Sequence, residues 1–79
     1  MLDLTPRLRE LLTSKFGVTD SQLEEDVRLA DLQFDSLALS ELSVACDDDL
    51  GIQVTDTELT STMKLSELNA IVAARLAAV

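Results

Sequence analysis

The tripeptide Asp35-Ser36-Leu37 places a hydroxyl where a stretch without helical periodicity gives way to an amphipathic, acidic run. A serine at such a junction can be exposed, held still and covalently modified. The first backbone N–H groups of a helix and the positive end of its dipole stabilise an anion, so a phosphodiester on Ser36 would sit in a favourable field. Asp35 stands where it can cap that helix, and Leu37 offers an apolar contact beside the attachment point. The surroundings carry one sign of charge: from residue 29 to residue 63 there are eight carboxylates (Asp31, Asp35, Glu41, Asp47, Asp48, Asp49, Asp56, Glu58) and no Lys or Arg. A marked serine on an acidic surface suggests carrying rather than catalysis.

Other chemistry is poorly supplied. The chain has no histidine and a single cysteine, Cys46, so it offers no internal disulfide, no zinc or redox site, and no Ser/His/Asp or Cys/His pair for nucleophilic catalysis. No catalytic residue is assigned. The Asp47-Asp48-Asp49 run is not a calcium loop: a loop opening at Asp47 would put Ile52 where the tight turn needs glycine, although Glu58 is correctly spaced. No metal is expected. Cys46 falls on an apolar helix face and reads as a small buried hydrophobe with an inert thiol. Without Trp or Tyr, and with only two Phe, there are no platforms for stacking bases. A net charge of −9 from 15 acidic and 6 basic residues disfavours nucleic acid and anionic membranes and favours partners with basic patches. No apolar run is long enough to span a bilayer and the first residues lack a signal-peptide pattern, so a cytoplasmic monomer is expected.

At 79 residues the chain is read as one domain, 1–79, standing alone. Thr5 before Pro6 predicts an N-cap with proline at the first helical position. Leu8, Leu11, Leu12 and Phe16 continue that helix over about 5–16, with Gly17 as its stop. Residues 18–34 form a long loop pinned by Val18, Leu23, Val27, Leu29, Leu32 and Phe34, with one helical turn opened by Thr19-Asp20-Ser21-Gln22 at capping-box spacing. From Ser36 a second helix buries Leu39, Leu42, Cys46 and Leu50 and ends at Gly51, with Ser40 and Ser43 at its solvent or cavity rim. Its three terminal aspartates oppose the helix dipole, which points to a partner rather than to stability. Thr55 or Asp56 is positioned to cap a short third helix, and Leu65, Leu68, Ile71, Val72, Leu76 and Val79 mark a fourth over about 65–78. The expectation is an all-α fold, a small four-helix bundle with a short third helix and a long loop between helices one and two.

In these features the chain resembles the acyl carrier proteins, which bear 4'-phosphopantetheine on the serine of an Asp-Ser-Leu motif at the start of their second helix. The likeness covers nearly the whole chain: Leu29-Ala30-Asp31-Leu32 before the motif, Glu41-Leu42 after it, the acidic Asp47–Asp49 turn, Val54 with Asp56, and Leu65-Ser66-Glu67-Leu68. The resemblance implies that Ser36 is the attachment site and that Asp35 and Leu37 are read by the phosphopantetheinyl transferase. It implies that Leu37, Ala38, Glu41, Val44, Ala45 and Asp48 form the face met by ketosynthase, acyltransferase and tailoring enzymes with basic docking patches. The run Asp35-Ser36-Leu37-Ala38-Leu39 followed by Glu41-Leu42 is most similar to the discrete carriers of bacterial aromatic polyketide synthases. Where many relatives have glycine two or three residues before the serine, this chain has Gln33 and Phe34, implying a less strained turn with one more ring packed beneath it. Thr55 replaces a common proline and Lys64 a common Ser or Thr cap, leaving the starts of the last two helices open.

Two readings compete with a polyketide carrier. One is a fatty-acid or aminoacyl carrier, since payload is chosen by enzymes outside the chain. The other is a non-carrier acidic adaptor or mimic of nucleic-acid charge, in which Ser36 is a plain N-cap.

Overall fold

The computed structural model describes residues 4–24, 26–55 and 57–78. Its α-helices are α1 (Pro6–Lys15), α2 (Ser36–Ala45) and α3 (Leu65–Ala78). In α1, Pro6 takes the first helical position and Leu8, Leu11 and Leu12 are buried. Thr5 precedes the helix, but its side chain does not cap it. The Thr5 hydroxyl and backbone N–H both donate instead to Asn69 Oδ1, at 3.0 and 2.9 Å, tying the start of α1 to α3. Pro6, at the first helical position, has no N–H of its own to leave unsatisfied there. Gly17 follows with φ 68°, and the Val18 N–H reaches back to the Leu12 carbonyl at 3.1 Å.

The long loop is pinned as its apolar residues predict: Val18, Leu23, Leu29, Leu32 and Phe34 are buried, with Val27 packed against them. The turn Asp20–Gln22 is closed by the Gln22 side chain accepting from the Thr19 N–H at 2.9 Å. A second 3₁₀ turn, Leu29–Leu32, is strapped to the segment before α3: Leu29 N–H donates to Met63 O, Ala30 N–H to Ser61 O and Leu65 N–H to Val27 O, at 2.8–3.1 Å. Arg28 and Lys64 form an isolated bridge, and the described residues contain no strand.

The turn just before Ser36 departs from expectation. Gln33 has φ 69°, the only positive φ at a non-glycine residue among the described ones. A side chain in that region costs about 1–2 kcal/mol, so the turn is strained rather than relaxed. Gln33 ends the 3₁₀ turn, and the next N–H, that of Phe34, returns to the Leu29 carbonyl at 3.1 Å; the left-handed residue is what permits that closure. The extra ring is where the sequence put it: Phe34 is 3% exposed, its centroid 5.2 Å from that of Phe16.

Leu39, Leu42, Cys46 and Leu50 are buried along α2 and the wider π-helical turn Cys46–Leu50 that continues it to Gly51, φ 67°. The short third helix is not found: from Thr55 to Glu58 the described residues show one turn, in which the Glu58 carboxylate accepts from the Thr55 N–H at 2.9 Å and the Glu58 N–H donates to the Thr55 carbonyl at 3.0 Å. Asp56, the other predicted cap, lies outside the described residues, as does Val79. Ile52, Val54, Leu59 and Met63, which carry no helical period, anchor this segment in the core. The four-helix expectation therefore becomes three helices and a turn among the described residues. Helix α3 begins after Lys64, whose N–H donates to Glu67 Oε1 at 3.0 Å, half of a capping box without the hydroxyl. No helix among the described residues is long and apolar enough to cross a membrane.

Candidate functional site

Asp35 is the N-cap of α2: its Oδ1 accepts from the Ala38 N–H at 2.9 Å. Ser36 is therefore the first helical residue, not the cap. It is exposed, and its hydroxyl has no hydrogen-bond partner among the described residues. With the Ala38 N–H taken by Asp35, the N–H groups of Ser36 and Leu37 remain at the positive end of the helix without intrahelical acceptors. An accessible hydroxyl with nothing to hold, beside amides that favour an anion, suits covalent attachment of a phosphate.

From Ser36 the exposed side of α2 and of the π-helical turn that continues it carries Leu37, Glu41, Val44 and Asp48 at positions i, i+4, i+7 and i+11, one stripe of a helix. Leu37 and Val44 are 67% and 61% exposed, the large hydrophobics left open among the described residues. The predicted face is thus partly assembled, with two exceptions. Ala38 is half-buried, and Ala45 is only 5% exposed, because it lies on the edge of α2 that turns toward the core.

The acidic segment divides sharply. Asp31 accepts from the Arg28 N–H at 3.1 Å and Asp35 caps α2. Asp49 pairs with Lys15 Nζ at 2.9 Å, while Arg7 donates to the Asp49 carbonyl at 2.9 Å. Glu58 pairs with Arg75, which also donates to the Gln53 carbonyl. The carboxylates of Glu41, Asp47 and Asp48 have no ion-pair or hydrogen-bond partner among the described residues. The Arg75 guanidinium, helped by bonds from Thr55, holds the Glu58 carboxyl at about 2, well below the usual range. Of the three terminal aspartates, Asp49 is thus accounted for by α1, whose cations offset the helix end in place of basic residues on α2 itself.

Beside the stripe, between α2 and the end of α1, lies an open groove of about 380 Å³. Phe16, Val44 and Ala45 give it apolar walls, and Lys15, Ser40, Glu41 and Asp48 complete its rim. Sequence reasoning missed the contribution of α1 here; the signal was Lys15-Phe16 at the end of an amphipathic helix, an aromatic kept at the edge of the core. Ser40 faces solvent, as expected, and stands at the rim of this groove. Ser43 is half-buried and donates to the Val54 carbonyl, tying α2 to the following segment.

A protein-family model described as a phosphopantetheine attachment site matches residues 6–75. The chain belongs to that family. It is an acyl carrier domain of the kind that bears covalent 4'-phosphopantetheine. Among curated proteins it is 36% identical over 56 residues, 71% of the chain, to the non-reducing polyketide synthase stbA of Stachybotrys bisbyi. It is 35% identical over 72 residues, 91% of the chain, to the non-reducing polyketide synthase atr1 of Stereocaulon alpinum. The matched stretches are 2% and 3% of those proteins' lengths. No solved structure matches.

The residues of the carrier domain fit the group its family bears, since Ser36 supplies a free, exposed oxygen at the N-terminus of a full-length helix. The one thiol of the chain itself is unsuited to acyl chemistry: Cys46 is fully buried, and burial, with a smaller contribution from Asp49, pushes its pKa up to about 11. Among the described residues no cluster of potential metal ligands is present.

Proposed function

We propose that the domain carries polyketide intermediates on 4'-phosphopantetheine attached to Ser36 and presents them to separate enzymes, making no bonds itself. What carries this reading is the division of labour at the head of α2: Asp35 does the capping, so the Ser36 hydroxyl is exposed and unengaged. Once in place, the group supplies a terminal thiol that holds an acyl chain as a thioester. The chain's residues supply the anchor oxygen, amides beside the phosphate and a face for docking. Tethering raises the local concentration of substrate at whichever active site the carrier reaches. The carrier must leave each enzyme in turn, so docking is weak and fast, steered by Glu41 and Asp48 toward cationic patches with Leu37 and Val44 as apolar contacts.

The partners follow from that reading: a phosphopantetheinyl transferase that recognises Asp35 and Leu37, then ketosynthase, acyltransferase and tailoring enzymes, met in the cytoplasm by a monomeric carrier. The names of the relatives and the resemblance to bacterial aromatic polyketide carriers agree on polyketide cargo over fatty-acyl or aminoacyl cargo. Assignment to the bacterial carriers in particular rests on the run Asp35–Leu39 with Glu41-Leu42. The turn at Thr55–Glu58 stands in this reading for the family's short third helix.

Intact-mass measurement after incubation with coenzyme A and a broad-specificity phosphopantetheinyl transferase tests the proposal. The expected result is a gain of one arm, absent in Ser36→Ala, whose circular dichroism and urea midpoint match the parent. An unmodified parent, or a Ser36→Ala protein that is still loaded, overturns it. Retained binding to a basic partner without any loading would favour the acidic-adaptor reading.

A further inference from the structure

The attachment serine and the groove between α1 and α2 are joined by the helix itself. Side chains four residues apart form a row along an α-helix, and the row that starts at Ser36 continues through Ser40 and Val44, both of which line the groove. Val44 lies eight residues beyond Ser36, about 12 Å along the axis. The hollow of about 380 Å³ is of the size of clefts that take small molecules, about 300–1,000 Å³. Phe16, Val44 and Ala45 make its walls apolar, and the Ser40 hydroxyl and the carboxylates of Glu41 and Asp48 are acceptors without a partner among the described residues. Its one cation is already engaged, Lys15 Nζ lying 2.9 Å from Asp49. The opposite flank of α2 is fastened instead: Ser43 donates to the Val54 carbonyl, and Arg75 holds the Gln53 carbonyl and Glu58.

We propose that this groove is a resting site for the carrier's own phosphopantetheine arm. Phe16, Val44 and Ala45 receive the arm's geminal methyl groups, and Ser40, Glu41 and Asp48 accept from its hydroxyl and its two amide N–H groups. This inference rests on the carrier reading and adds to it a site, partly on α1, for the group which that reading attaches to Ser36. Chemistry selects the occupant: beyond its phosphate the arm is uncharged and carries apolar groups and donors together, so the carboxylates that repel an anionic ligand serve it as acceptors. Attachment settles the occupancy. A group held on a short flexible link is present at a local concentration of the order of millimolar, so a groove too weak to keep a free ligand, with a Kd of about 1 mM, would be about half filled. The row from Ser36 through Ser40 to Val44 leads the arm to it without crossing the fastened flank.

The test compares the full 79-residue protein before and after loading from coenzyme A labelled with ¹³C in the geminal methyls, using ¹⁵N chemical shifts and nuclear Overhauser effects. Loading should shift the amide resonances of Phe16, Ser40, Val44 and Ala45 in addition to those beside Ser36, and the labelled methyls should show Overhauser contacts with the Phe16 ring. Ser40→Trp fills the groove from an exposed position, so it should abolish those contacts and the shifts at Phe16 and Ala45 while loading still goes to completion by mass. Val44→Ser, which removes one wall, should weaken the same contacts independently. Shifts confined to residues 35–38, methyl contacts with Val54 or Leu59 in place of Phe16, or contacts unchanged in both variants would overturn the inference. In each of these cases the arm is present by mass and the carrier reading stands. A parent that takes no arm overturns both.

Discussion

Asp48 and Glu58 belong to one segment without a cation, and the fold treats them differently. Glu58 meets Arg75 from α3, which grips the carboxylate and the Gln53 carbonyl together and closes the segment onto that helix. Asp48 meets nothing among the described residues, although its neighbour Asp49 is taken by Lys15. The cations that α1 and α3 deliver are spent on the acids that hold the structure. Of the acids they leave, Glu41 lies on the exposed side of α2 with Leu37 and Val44, and Asp47 and Asp48 are exposed on the π-helical turn that continues it. The contrast separates charge that maintains the fold from charge available to a partner, a distinction that a net count of −9 cannot make.

The contrast breaks most visibly if the unpaired acids are reversed. Glu41→Lys with Asp48→Lys should lower kcat/KM for acyl transfer from the loaded carrier to a basic partner enzyme at least about tenfold, since rim charges act mainly on association. The urea midpoint should hold or rise slightly, because like-charge repulsion falls and no intramolecular pair is lost. Raising salt should shrink the gap between parent and variant. Unchanged transfer at low salt would mean that the stripe is only a solvated face.

The serine, its acidic neighbour and its helix were legible because each leaves a local mark: a capping carboxylate, a hydroxyl beside it, and apolar residues at helical spacing ending in glycine. The loop pins were legible for the same reason, as isolated hydrophobes have few places to go in a small core. What could not be read depended on distant partners. Nothing near Asp49 in sequence announces Lys15 or Arg7, and nothing near Glu58 announces Arg75. That Ala45 stands at the buried edge of the face the resemblance implies was not legible either, since residue type does not say which side of α2 the core takes. The turn at Thr55–Glu58 has helix-capping chemistry but no apolar period behind it, so tertiary anchoring of Ile52, Val54 and Leu59 decides its course. At Gln33 the missing glycine suggested relaxation, whereas the bond from Phe34 to Leu29 keeps the left-handed conformation whatever residue occupies it.

The head of α2 provides the next comparison, between a residue that holds the site and one that is held by it. Asp35→Ala should cost about 1 kcal/mol in urea unfolding, the usual loss of a side-chain cap; Ser36→Ala should cost much less, because the serine caps nothing. Equal losses would return Ser36 to a capping role. Gln33→Gly should stabilise by about 0.5 kcal/mol. Relief of left-handed strain gives about 1–2 kcal/mol, and the greater freedom of glycine in the unfolded chain takes back about 0.5–1 kcal/mol. A loss of stability would show that the Gln33 side chain contributes more than its backbone strain costs.

The smallest effect belongs to the clamp, because Glu58 and Arg75 are both partly open to water and screened accordingly. Its sign is nevertheless definite. In the folded protein the Glu58 carboxyl titrates at about 2, below the ordinary value of about 4.3, so folding favours the ionised form. The stabilisation is fully present above pH 4.3 and is lost as the pH falls from there toward 2. Other carboxylates titrate in the same range, so the informative quantity is the difference in urea midpoint between parent and Glu58→Gln. That difference should be largest at neutral pH, shrink below pH 4.3 and vanish near pH 2. Acyl transfer at pH 7 should be equal in the two proteins if Glu58 serves the fold alone. A difference in stability that ignores pH would mean that the glutamate acts through hydrogen bonds its amide can replace in part, and the division between structural and available charge would then rest on Asp49 and Lys15.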